Sequence, residues 1–138
     1  LDKLCGTNID LQIDVFRKQI EISIEINKPL IIHCVKAWDE LIALYKEYKP
    51  STAWIIHGFR GKEMLAKQLS SLGLNLSFGE KFQQSAIESI ARESTFIETD
   101  ESKQTIMSIC QNISGESGIS SPEFLRVVEM NVVKTFRM

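Results

Sequence analysis

The chain has 138 residues, 43% of them hydrophobic and 25% charged, with a formal charge of −2; this is the make-up of a globular unit with a core of its own, not of a disordered or fibrous chain. That charge excludes a protein that grips nucleic acid through a broad basic surface, while leaving room for a small cationic pocket. No apolar run approaches the roughly 18 residues of a membrane span, and Leu1-Asp2-Lys3-Leu4-Cys5 lacks the basic-then-apolar order of a secretory signal, so a cytoplasmic location and no membrane partner are expected.

The three cysteines, Cys5, Cys34 and Cys110, are odd in number and widely spaced, which suits reduced thiols better than a disulfide framework or a zinc ribbon. The first residue is Leu1 and not methionine, so the sequence reads as truncated or processed at its N-terminus.

Between residues 12 and 27, Ile13, Phe16, Ile20 and Ile24 recur at steps of three and four, predicting a helix capped by Asp10 and ended before Pro29. Leu30-Ile31-Ile32 is a continuous apolar run, the pattern of a strand buried on both faces in a parallel sheet, and it finishes at His33. A second helix over residues 37–48 turns Leu41, Leu44, Tyr45 and Tyr48 inward and stops before Pro50. The next run, Ala53-Trp54-Ile55-Ile56, finishes at His57. A third helix over residues 61–72 meets Gly73 as a left-handed cap, and residues 74–78 read as a strand with Asn75 and Ser77 interleaved. A short helix near residues 85–92 precedes the run Thr95-Phe96-Ile97, which ends in Glu98-Thr99-Asp100. Residues 115–121 read as a polar loop, and Ser120-Ser121-Pro122-Glu123 then announces a last helix with Leu125, Val128, Val132 and Phe136 at helical spacing.

These are strand-helix repeats with no linker between them, so residues 1–138 read as one α/β domain with parallel strands. An eight-stranded TIM-type barrel needs about 250 residues, so the chain corresponds to about half of one, with its N-terminal strands missing. Half a barrel leaves sheet edges that an oligomer partner or a missing N-terminal segment has to cover.

In parallel α/β folds the reactive groups gather at the carboxyl ends of strands. The chain's two histidines each close an apolar run, and a third run closes with a carboxylate. Imidazole with carboxylate is the ligand set of hydrolytic zinc, magnesium, manganese or nickel centres, which makes His33, His57 and Asp100 candidate metal ligands. Glu98 lies two residues before Asp100 and on an extended chain shares its face, as a partner that steadies a ligand or simply accepts backbone or lysine hydrogen bonds. In His57-Gly58-Phe59-Arg60-Gly61 the glycines could let backbone amides and the Arg60 guanidinium approach an anion at the start of the third helix. Lys36, three residues beyond His33, is a second candidate cation. Trp38, Phe59 and Phe82 are candidates for stacking on a base, with core packing the plainer role.

Taken together, Gln12 to Phe16, Pro29-Leu30-Ile31-Ile32-His33, His57-Gly58-Phe59-Arg60-Gly61, Glu98-Thr99-Asp100 and Asn131 to Phe136 resemble, in order and spacing, the TatD family of metal-dependent deoxyribonucleases. The resemblance covers nearly the whole chain, and Leu1-Asp2 resembles the end of the family's Gly-Leu-Asp signature. It implies an amidohydrolase-type barrel with His33, His57 and Asp100 as ligands, while the family's His-x-His strand and bridging glutamate would precede Leu1. Where the family usually has an arginine after the first histidine, this chain has Cys34-Val35-Lys36, and where the family commonly has a proline after the acidic motif, Asp100-Glu101-Ser102 has none.

The expected reaction is hydrolysis of a phosphodiester, with DNA as the first substrate to test: divalent metal polarises the phosphoryl oxygen, and water attacks in line. Asp100 would bind metal and orient or deprotonate that water, and Arg60 or Lys36 would neutralise phosphate charge. Two alternatives stand beside this: an amidohydrolase-type enzyme acting on an amide or lactone, and a non-catalytic remnant or interaction module.

Overall fold

In the computed structural model, residues 1–137 are described, and they fall into two compact units, Leu1–Ile56 and a second from His57 onward. Among the described residues no helix is long and apolar enough to cross a membrane.

The first unit holds α1 (Ile9–Glu25), β1 (Leu30–Ile32), α2 (Trp38–Tyr48) and β2 (Trp54–Ile56). The cap of α1 is Asn8 and not Asp10: the Asn8 side chain accepts hydrogen bonds from the amides of Asp10 and Leu11. Phe16, Ile20 and Ser23 form the buried face of α1, whereas Ile24, expected inward, is exposed. Strands β1 and β2 pair in parallel, Leu30 opposite Trp54 and Ile32 opposite Ile56. Their burial differs. All three residues of β2 are buried, but Ile31 in the middle of β1 is 65% exposed, so the expectation of a strand covered on both faces fails for β1. Successive residues of a strand point to opposite faces, and in β1 only the face of Ile32 is packed. The core of this unit is built on Trp54, fully buried, with Phe16 and Tyr45 each set edge-on to its ring at 5.4 and 5.2 Å between centroids.

The second unit holds α3 (Glu63–Leu72), β3 (Asn75–Phe78), α4 (Gln84–Glu88), a 3₁₀ turn (Arg92–Ser94), β4 (Thr95–Ile97), α5 (Ile106–Ser117) and α6 (Ser121–Phe136). Strands β3 and β4 are parallel, Leu76 opposite Thr95 and Phe78 opposite Ile97. Gly73 ends α3 at φ 100°, the left-handed cap its position after Leu72 predicts. The short helix expected to reach residue 92 stops at Glu88 and gives way to the 3₁₀ turn.

Most of the segment read as a loop over residues 115–121 is not one. Helix α5 runs through Ser117, started by Thr105, whose hydroxyl accepts from the Ser108 amide, and stopped by Gly118 at φ 66°. Its buried residues Ile109, Cys110, Ile113 and Ser114 recur at helical spacing, so the pattern was present under a polar surface of Ser, Gln and Asn. Ser120 caps α6, with Pro122 in its first turn, as expected. The buried residues of α6 are Phe124, Val128 and Asn131, so the stripe sits partly on other residues than the predicted one and includes an amide. That amide, 6% exposed, donates 2.8 Å hydrogen bonds to the carbonyls of Arg92 and Thr95 and ties α6 to the start of β4.

The architecture is therefore α/β with parallel strand-helix repeats, the repeat of a TIM-type barrel, and its four strands are half of a barrel's eight.

Candidate metal centre

His57 is the residue immediately after β2, and Glu98 and Asp100 are the first and third residues after β4. Two hydrogen bonds register this segment on β3: the Phe59 amide donates to the Ser77 carbonyl at 2.9 Å, and the Glu98 amide donates to the Phe78 carbonyl at 3.0 Å. The Phe59 amide is thus committed to the fold and does not serve as an anion donor. The Phe59 ring is 1% exposed and packs edge-on against Phe78, so it is a core residue and not a platform for a base. Trp38 and Phe82 are half-buried, Trp38 as the first residue of α2 and Phe82 in the segment between β3 and α4.

Gly58 sits at φ 59°, where a side chain is strained, while Gly61 is fixed by space: a Cβ there would lie 2.5 Å from the tip of the Phe59 ring. The second glycine of the turn thus makes room for a core aromatic.

His57 Nδ1 lies 3.0 Å from Glu98 Oε1, both side chains being mostly covered, 26% and 18% exposed. An ionised carboxylate can only accept, so the imidazole donates from Nδ1, and that tautomer keeps its lone pair on Nε2. Such a carboxylate-oriented imidazole is how metal-binding histidines are held. Asp100 is exposed and adopts φ 44°, the left-handed region. His57, Glu98 and Asp100 each offer a ligand atom, and these atoms all lie within 4.8 Å of one another. One imidazole and two carboxylates at that spacing suit zinc or a harder divalent cation, so the donor set fits the metal that the strand-end pattern predicts. Glu98, expected only to steady the site, stands among the groups able to ligate. A cavity of about 220 Å³ opens beside them, lined by Glu98, Asp100, Arg60, Glu80 and Lys81 among others. Arg60 thus lines the same cavity as the acidic pair, and Lys81 is a second cation beside it that the strand-end pattern does not point to.

His33 belongs to the first unit, where its side chain is 55% exposed and its Nε2 lies 3.2 Å from Asp2 Oδ2. Asp2 is itself clamped by Gln12, which accepts from the Asp2 amide at 2.7 Å and donates to its carbonyl at 2.8 Å. The Asp2 carboxyl is held below its ordinary range, first by the Leu4 amide and next by the His33 bond. Lys36 is exposed at φ 53° in the turn after β1. Burial pushes the neighbouring Cys34 thiol up to about 11 and also raises that of Cys110, in keeping with inert, reduced cysteines.

Parallel strand-helix repeats with an imidazole and two carboxylates at strand ends define the class, an α/β fold of TIM-barrel type with a divalent-metal donor set. The chain belongs to the TatD related DNase family, whose model it matches over residues 1–137. It is 31% identical over 99 residues to a protein of Bacillus subtilis named uncharacterized metal-dependent hydrolase YabD, a match covering 66% of this chain and 39% of that protein. It is 30% identical over 143 residues to the putative deoxyribonuclease tatdn3 of Danio rerio, covering 92% of this chain and 53% of that protein. Its fold is that of the TatD homolog YJJV of Escherichia coli K12, with a TM-score of 0.85 at 17% identity, over 100% of this chain and 61% of that one. The chain thus spans 39% to 61% of the length of these three proteins.

Proposed function

We propose that this chain supplies part of the centre of a metal-dependent hydrolase that cleaves phosphodiester bonds, with DNA as substrate. The carrying observation is the grouping of His57, Glu98 and Asp100 within 4.8 Å beside a cavity that Arg60 also lines. A divalent cation held there would supply the positive charge that polarises a phosphoryl oxygen and acidifies water. His57 offers Nε2, Glu98 fixes the ring through Nδ1, and Asp100 takes the proton of the attacking water. Arg60 neutralises the non-bridging phosphate oxygens. In the first unit, His33 is proposed as a metal ligand oriented by Asp2, and Lys36 as a second phosphate contact. The relatives named as a metal-dependent hydrolase and a putative deoxyribonuclease support this reading.

The test is cleavage of a DNA oligonucleotide by the full-length protein with zinc, magnesium, manganese or nickel, and with none. Metal-dependent cleavage that falls at least about a hundredfold in His57→Ala and Asp100→Ala is the expected result. Undiminished cleavage in both variants would end the proposal.

A further inference from the structure

Glu98 is fixed on two sides, by its amide on Phe78 and by its carboxylate on His57. Asp100, two residues on, has left the strand for a turn in the left-handed region, a backbone that L-residues adopt seldom and that persists when neighbours over-determine it. The turn is closed by the Ser102 amide donating to the Thr99 carbonyl at 2.8 Å. The Ser102 hydroxyl donates to Glu80 Oε2 at 2.7 Å and accepts from the Gln104 amide at 3.0 Å. Glu80 belongs to the segment after β3, so this bond joins the segments that follow β3 and β4. The Glu80 carboxyl is held below its ordinary range chiefly by Ser102 and then by the Gln104 side chain, with Lys81 adding charge. Gln104 in turn accepts from Ser108 and Asn112, each at 3.1 Å, anchoring the far end of the turn on α5.

We propose that Glu80 is a positioning residue for Asp100: through Ser102 it holds the turn in which the Asp100 carboxylate joins His57 and Glu98. The inference rests on the metal-centre reading for its purpose, but its mechanical part stands on the hydrogen bonds alone. An exposed bond of this kind contributes little to global stability, so its effect falls on the turn and on what the turn presents. Glu80 touches neither substrate nor metal in this role.

The test uses the full-length protein and the variants Glu80→Ala, Glu80→Gln, Ser102→Ala, Ser102→Thr and the Glu80→Ala/Ser102→Ala double. Three quantities are read: Mn²⁺ affinity by calorimetry, amide hydrogen exchange over residues 100–104, and unfolding temperature. Loss of a partner that orients a ligand lowers metal affinity by about 10- to 100-fold. Both alanine variants are expected near the lower end of that range, with faster exchange in the turn and an unchanged unfolding temperature. The double variant should be no worse than either single one, and Glu80→Gln and Ser102→Thr should recover most of the affinity because each keeps its half of the bond. Wild-type exchange in Glu80→Ala overturns the brace, and wild-type Mn²⁺ affinity beside accelerated exchange overturns its link to Asp100. If the wild-type protein takes up no Mn²⁺ while Glu80→Ala accelerates exchange, the brace stands and the metal-centre reading fails.

Discussion

The chain's two histidines occupy equivalent places, each one residue past a parallel strand, and the two units surround them differently. His33 follows a strand with an exposed central isoleucine, is itself 55% exposed, and meets Asp2 of the N-terminal segment at 3.2 Å. His57 follows a strand buried at all three positions, is 26% exposed, and meets at 3.0 Å a carboxylate only 18% exposed. A strand end therefore sets where an imidazole stands but not how far it is covered: the two carboxylate partners are similarly exposed, 23% for Asp2 and 18% for Glu98, while the imidazoles differ, 55% against 26%. Partly buried groups are screened less by solvent and salt, so the His57 pair is the less screened of the two.

Five substitutions sharpen or break this contrast, the largest first. Trp54→Ala empties the core of the first unit and should cost about 3–5 kcal/mol, read as a lower urea midpoint; an unchanged midpoint would remove the buried strand β2 as the basis of the comparison. Glu98→Ala should lower divalent-metal affinity by about 10- to 100-fold, whereas Asp2→Ala, acting on the more exposed pair, should lower it less. Equal losses would erase the difference between the two histidines. Asn131→Ala leaves the Arg92 and Thr95 carbonyls without their amide and should cost about 1–3 kcal/mol, measured by denaturant unfolding.

The smallest effect concerns acid. The folded-state value of the Asp2 carboxyl is depressed, so its contribution to stability is present above the ordinary aspartate value and is lost as pH falls through that value toward the folded one. Asp2→Asn should flatten the acid limb of stability below about pH 4 and leave the neutral range little changed, as urea midpoints against pH would show.

Much of the fold was legible because period and punctuation agreed. The runs at Leu30, Trp54 and Thr95, the glycine after Leu72 and the serine before Pro122 each carried a physical signal that tertiary packing did not override. Helix α5 was missed because, among the described residues, its buried positions are thinly spread through polar ones and include Cys110 and Ser114. That His57, Glu98 and Asp100 follow strand ends was legible, but not their grouping within 4.8 Å, because spacing tells which face a side chain shares and not how near a partner on another strand stands. The roles of Asn131, Glu80 and Ser102 were not readable, although Asn131 opens one of the stretches that carry the family resemblance: each acts on a group more than 20 residues distant in the chain, and their residue types are ordinary on helix surfaces and in loops.

The central claim is that His57, with Glu98 and Asp100, holds a divalent metal. Calorimetric titration of Mn²⁺ into the full-length protein and its His57→Ala variant tests it most directly. The expected result is saturable binding by the wild-type protein and a loss of at least about a hundredfold in affinity in the variant, about 2.7 kcal/mol. Equal affinity in the two proteins, or no binding by either, would contradict it.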